Sequence, residues 1–182
     1  MDKLLLIVDM LNDFIEPGGR LHFPAGAGVV APIARLRRAF RAAGAAVVYD
    51  NDAHPEDSGE FAHWPVHCVM GTPGARVVDA LSPGPGDVVV HKDALSLFDV
   101  PRAGALLRAL GAGRLYVVGV ATEYCVKEAA LHALAAGFEV TVVTDAVAAV
   151  DLTPGDGERA LAAMAEAGAA FATTERVLAR FA

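Results

Sequence analysis

Leu115-Tyr116-Val117-Val118-Gly119-Val120 is apolar at successive rather than alternate positions. A strand of that kind is covered on both faces. Thr122 to Ala136 follows, rich in alanine, and predicts a helix that stops at Gly137, where glycine closes the last turn at no steric cost. Glu139-Val140-Thr141-Val142-Val143 then reads as the next strand. A strand, a helix and a second strand in this order form a right-handed crossover between parallel neighbours.

The same alternation extends in both directions. Apolar runs recur at Leu4–Val8, Ala45–Tyr49, Val88–His91 and near Ala169–Ala172. Between the first two, Val29, Ile33, Leu36 and Phe40 share one helical face, with Arg35, Arg38 and Arg41 off it. Thr153-Pro154 predicts an N-cap hydroxyl and a proline at the first helical position, with Leu161, Met164, Ala165 and Gly168 as the inner stripe. The expectation is a three-layer α/β/α sandwich around a six-stranded parallel sheet, with residues 1–182 as a single domain.

Composition narrows the function. Hydrophobic residues make up 54% of the 182, charged residues 20%, and mean hydropathy is positive. The apolar runs stay well below the roughly 18 residues a membrane span needs, and no leader-like segment opens the chain, so a cytoplasmic protein is expected. Net charge is −7, and without a basic track to replace phosphate counterions no nucleic-acid partner is expected. Cys68 and Cys125 are too few for a disulfide framework and read as free thiols.

Ligands of parallel sheets bind beyond the carboxyl ends of the strands. Asp9, Asp52 with His54, Lys92 and Cys125 all fall at such ends. Singly, each has an ordinary explanation: a capping Asp, a solvated Lys, a packed Cys. Together, Asp9, Lys92 and Cys125 make a set for covalent acyl transfer. Cys125 is expected in the first turn of a helix, where unpaired N–H groups favour a thiolate and an oxyanion. Asp9 takes the thiol proton, and Lys92 favours the anions.

The Pro-, Gly- and His-rich stretch from about Ala53 to Thr72 is long for a connection in such a fold, which marks it as functional. Asp52 and His54, two apart in extended chain, point to one face, and His67 follows thirteen residues after His54. A carboxylate with imidazoles suits Zn²⁺, Fe²⁺ or Mn²⁺, with Glu60 and His63 available to complete the shell. His22, His91 and His132 have no such company and are taken as structural.

Val8-Asp9-Met10-Leu11-Asn12-Asp13-Phe14, with Gly18-Gly19-Arg20-Leu21, resembles the opening of isochorismatase-like hydrolases. Gly119-Val120-Ala121-Thr122-Glu123-Tyr124-Cys125-Val126 is similar to their nucleophile segment, and Thr144-Asp145-Ala146 to the strand end that follows. Within that family, Asp52-x-His54 with the segment Trp64 to Ala75 is similar to the nicotinamidases. The resemblance implies metal ligation by Asp52, His54 and His67, joined in some members by a glutamate where Glu60 stands. It implies that Phe14 and Trp64 sandwich an aromatic ring. It also implies a cis Val120–Ala121 peptide that turns the Ala121 N–H into an oxyanion hole beside that of Cys125. His91-Lys92-Asp93-Ala94-Leu95-Ser96-Leu97-Phe98 departs from the pattern by keeping Ser96-x-Phe98 in a shortened loop.

The activity so implied is cysteine-dependent hydrolysis of a small amide, nicotinamide to nicotinate and ammonia, by a metal-binding enzyme expected to be a homo-oligomer. The alternatives are a metal-free ureido or carbamoyl amidohydrolase of the same fold, a non-enzymatic thiol or redox protein, and a catalytically dead binding relative. Vinyl-ether cleavage, the isochorismatase reaction itself, needs no cysteine.

Overall fold

The first strand, β1 (Lys3–Val8), sends Leu5 and Ile7 to one side of the sheet and Leu4, Leu6 and Val8 to the other, and all five are fully buried. That two-sided burial is what its unbroken apolar sequence requires. In the computed structural model, which describes residues 3–181, two single turns follow, α1 (Asn12–Ile15) and α2 (Pro24–Ala27), and then α3 (Val30–Ala42) and β2 (Ala46–Asp52). A long irregular stretch leads to β3 (Val88–Lys92), α4 (Ala103–Ala109) and β4 (Arg114–Val120). The chain closes with α5 (Lys127–Ala135), β5 (Glu139–Ala148), α6 (Asp156–Glu166), β6 (Ala170–Ala172) and α7 (Thr174–Leu178).

The strands form one six-stranded sheet in the order β3-β2-β1-β4-β5-β6, and every neighbouring pair is parallel. The chain builds outward from β1 to β3, returns to lay β4 on the free side of β1, and builds outward again to β6. The order reverses between β1 and β4, and the crevice at their carboxyl ends is where such sheets take ligands. One layer carries α3 and α7 through Ile33, Leu36, Phe40 and Val177. The other carries α4, α5 and α6 through Leu107, Ala129, Ala133 and Met164. The expected stripe of α3 is the buried one.

Several boundaries differ from the sequence reading. β2 runs on to Asp52 and β3 to Lys92, so both residues end their strands rather than follow them. Asp and Asn are disfavoured in strands, yet Asp50, Asn51 and Asp52 are held in register, with Asp50 paired to Val8 and Val90 and Asp52 to Lys92. β5 continues to Ala148, with a register shift against β4 between Val117 and Gly119. α6 starts at Asp156, not after Thr153, because the Asp151 carboxylate accepts the Gly157 N–H at 2.8 Å and Gly155 turns left-handed just before it. Its inner face is therefore Gly157, Ala160 and Met164, while Ala165 and Gly168 are exposed. Among the described residues no helix is long and apolar enough to cross a membrane.

Candidate active site

Asp9 is the first residue past β1 and takes a left-handed backbone, φ 49°, which Asp tolerates better than most residues. Its N–H donates to the Asp50 carbonyl at 2.9 Å, and its Oδ1 accepts the Asp52 N–H at 2.7 Å. The carboxylate is thereby fixed over the sheet end, 1% exposed.

Lys92 lies two strands away on β3, with β2 between. Only a long side chain can cross that gap of two strand spacings, roughly 10 Å. The Lys92 Nζ donates to Asp9 Oδ2 at 2.9 Å and Oδ1 at 3.1 Å, donates also to Asp52 Oδ1, and lies 3.9 Å from the Cys125 sulfur. Burial by itself would discharge this ammonium, but Asp52 and Asp9 outweigh it and hold its pKa well above the ordinary lysine value.

Cys125 is not in the first turn of a regular helix as expected. Thr122–Val126 winds through a kink at Tyr124 (φ −116°, ψ −108°), and regular helix begins at Lys127. The N–H groups of both Tyr124 and Val126 converge on the Ala121 carbonyl, at 3.1 and 3.2 Å. Glu123 ties the turn down by accepting the N–H groups of Val150 and Asp151 at 2.9 and 2.8 Å. The Val120–Ala121 peptide is cis. Gly119 (φ 116°) lies against Val8, and a Cβ there would collide with the Val8 carbonyl.

The structure thus brings together the three residues expected to act as a unit. The Asp9 and Asp52 carboxylates and the Cys125 sulfur lie within 4.8 Å of one another. Burial, and after it Asp52, pushes the Asp9 carboxyl up to about 6, with Lys92 opposing. Burial likewise pushes the Cys125 thiol well above its usual range despite Lys92. At neutral pH the pair is a thiol beside a carboxylate, ready for proton transfer. Cys68 is fully buried, and burial raises its thiol too. Its N–H donates to Asp13 Oδ2 at 2.7 Å and its carbonyl accepts the His54 N–H at 3.0 Å, so it serves as backbone support.

Asp52, His54 and His67 form a second compact set, with ligand atoms within 4.8 Å of one another. Its fit to a metal ion can be read from the imidazoles. His67 Nδ1 faces the Pro65 carbonyl at 2.7 Å, which can only accept, so Nδ1 carries the proton. His54 Nδ1 donates in the same way to Asp93 Oδ1 at 2.6 Å. Both Nε2 lone pairs therefore face Asp52 Oδ2, at 3.5 Å from His54 and 3.9 Å from His67. Among the described residues the buried His54 Nε2 finds no hydrogen-bond partner. Two oriented imidazoles, a carboxylate and an unsatisfied lone pair fit a divalent transition metal. Burial opposes a charge on His54, but Asp52 and Asp93 outweigh it and raise its pKa, so protons compete with a metal there.

Both sets open into one cavity of about 130 Å³, which Phe14, Trp64, Ala121 and Glu60 also line. Glu60 stands outside the compact set, and His63 and His91, both exposed, and His22 and His132, both half-buried, lie off the cavity wall. Phe14 meets the His67 ring edge-on at 5.6 Å, and Trp64 meets Tyr124 at 5.1 Å. The shortened segment after Lys92 contributes Ala94 and Leu95 to the wall.

Three supporting residues escape a reading by sequence. Asp50 is fully buried, its Oδ1 3.9 Å from Lys92 Nζ; its i,i+2 spacing to Asp52 is the signal that could have found it. Asp93 carries no such signal, since a single acid in a loop is usually solvated, and Glu123 reads as an ordinary acid of the helix expected from Thr122.

The isochorismatase domain family matches residues 3–176. The chain is 33% identical, over 202 residues, to the nicotinamidase of Escherichia coli (strain K12), covering 94% of each chain. The crystal structure of pyrazinamidase from Pyrococcus horikoshii in complex with zinc is similar with a TM-score of 0.88 and 38% identity, covering 95% of this chain and 99% of that one. N-carbamoylsarcosine amidase from Thermoplasma acidophilum is similar at 0.86 and 34%, covering 96% and 98%. With the family matched along almost its whole length and relatives at this identity, the chain belongs to the isochorismatase family.

Proposed function

We propose that the protein is a cysteine-dependent amidohydrolase of the nicotinamidase type, cleaving a neutral carboxamide on a nitrogen-containing aromatic ring. One observation carries this reading. Asp9 and Cys125, with Lys92 buried behind them, and a set of metal-ligand character, Asp52, His54 and His67, face the same cavity.

Asp9 accepts the Cys125 proton as the sulfur bonds to the amide carbonyl carbon, and the electron pair moves to the carbonyl oxygen. The N–H groups of Ala121 and Cys125 receive that oxyanion. Asp9 returns the proton to the nitrogen, the C–N bond breaks, and ammonia leaves a thioester on Cys125. Water then loses a proton to Asp9 and attacks the thioester, the C–S bond breaks, Asp9 returns that proton to the sulfur, and the acid departs, releasing its own proton to solvent as the carboxylate. Lys92 holds Asp9 in place and balances the negative charges that come and go. Asp52, His54 and His67, with Glu60 as the fourth candidate, would hold Zn²⁺, Fe²⁺ or Mn²⁺. Such an ion would supply a Lewis-acid site for the ring nitrogen, while Phe14 and Trp64 flank the ring.

A second reading is favoured by the likeness to N-carbamoylsarcosine amidase, namely hydrolysis of a carbamoyl or ureido acid. Such a substrate bears a carboxylate, and among the described residues no Lys or Arg lines the cavity, which supports the first reading over it.

Ammonia release from nicotinamide, pyrazinamide and a ureido acid tests both. Cys125→Ala should lose activity by about 10⁴-fold or more, whereas Cys68→Ala keeps most of it. Undiminished turnover by Cys125→Ala would end the covalent mechanism, and turnover of the ureido acid alone would install the second reading.

A further inference from the structure

The cavity changes character from floor to mouth. At the floor stand Cys125 and the metal-ligand set. At the mouth two leucines from separate loops meet the same space: Leu95, 38% exposed, between β3 and α4, and Leu152, 67% exposed, between β5 and α6. A lone exposed leucine needs no explanation. Two of them converging on the rim of a buried reactive centre form an apolar surface that a bound molecule can cover. Among the described residues the cavity wall has no Lys or Arg, and the Lys92 ammonium behind it is fully buried and already engaged by Asp9 and Asp52.

Two anchors orient a pyridine carboxamide here, its carbonyl at Cys125 and its ring nitrogen toward Asp52, His54 and His67. The ring carbon meta to both groups then points away from both, toward the mouth. We propose that Leu95 and Leu152 are specificity-determining residues. They make the protein prefer uncharged pyridine carboxamides with a short alkyl group on that carbon, and disfavour rings carrying a carboxylate there. This rests on the amidohydrolase reading given above.

Each methylene taken from water onto such a rim tightens binding severalfold when fully covered, so a propyl group half covered gives about tenfold. Trp64 is the single tryptophan of the chain and lines the cavity, so its fluorescence reports binding without turnover. Nicotinamide, 5-propylnicotinamide and 5-carboxynicotinamide are titrated into the metal-loaded Cys125→Ala protein, and ammonia release is followed with the parent.

The expected order is propyl about tenfold tighter than nicotinamide, and carboxylate about tenfold weaker or worse. Leu95→Ser with Leu152→Ser should shrink the propyl advantage to within about twofold. Leu152→Ser alone, at the more exposed position, should remove about half of it in logarithmic terms, which covers the event that the double variant does not fold. Equal binding of propyl compound and nicotinamide, an advantage that survives both serines, or a carboxylate bound as well as nicotinamide would each overturn the rim. No ammonia from any amide, with the binding order intact, would discard the amidohydrolase reading and leave the rim standing.

Discussion

Asp9 must hold a proton and give it back, and its surroundings set the pH at which it can do so. Burial and then Asp52 lift its carboxyl to about 6, against the pull of Lys92. Only the ionised form can take the thiol proton, so kcat/KM should rise with pH through that region. A profile flat across the acid side would remove Asp9 from the role of base. Asp50 differs in kind. Burial first, with Lys92 opposing it and Asp9 and Asp52 adding to it, raises its pKa well above the ordinary value of 3.8. Asp50→Asn should then be at least as stable as the parent at pH 7, because its amide has no proton to lose on unfolding. An ionised partner of Lys92 would cost about 3–5 kcal/mol to remove, so urea denaturation separates the two cases. The native protein holds the Asp50 proton above 3.8 while the unfolded chain releases it. Its contribution to stability therefore fades as pH rises through the raised value, and the variant should gain on the parent over that range. Asp52 and His54 were legible because two-residue spacing at a strand end is a pattern. Asp50 has the same spacing, but a carboxyl inside a strand argues against the strand that would bury it.

Elements are positioned by small residues at close approaches. Gly74 packs on the Asp13 carboxylate, whose oxygens accept the N–H groups of Arg20 and Cys68 at 3.1 and 2.7 Å. A Cβ at Gly74 would occupy the space of that carboxylate. Gly74→Ala should displace Asp13, cost about 1–3 kcal/mol through the two donors left unpaired, and loosen the Cys68 segment that pairs with His54. Lower metal occupancy beside a reduced urea midpoint is the expected result, and full occupancy would detach this loop from the metal set. The strands and α3 were readable because apolar runs and stripes report burial directly. The kinked turn Thr122–Val126 was not, since alanine-rich periodicity passes through it unbroken. Its shape depends on Glu123 reaching Val150 and Asp151, a contact 27 residues away or more. The start of α6 was misplaced for a related reason: Thr153-Pro154 has the composition of a cap, while the Asp151 carboxylate and Gly155 make the actual one.

At the scale of the whole molecule, fold class could be read from the alternation of strands and helices, but strand order could not, because sequence records succession and not adjacency. That order puts Asp9 and Cys125 at the reversal between β1 and β4, and leaves Lys92 on β3, hydrogen-bonded to β2 alone at the border of the sheet. Border strands open more readily than central ones. The reacting group therefore spans two regions of unequal durability, and its working life is that of the weaker. On slow warming, turnover should fade and the β3 amides should begin to exchange with deuterium while β1 and β4 remain protected and far-UV circular dichroism is unchanged. Activity and dichroism lost together would mean that the lysine, clamped by its carboxylates, fastens the border to the centre so firmly that the sheet can only come apart as one piece.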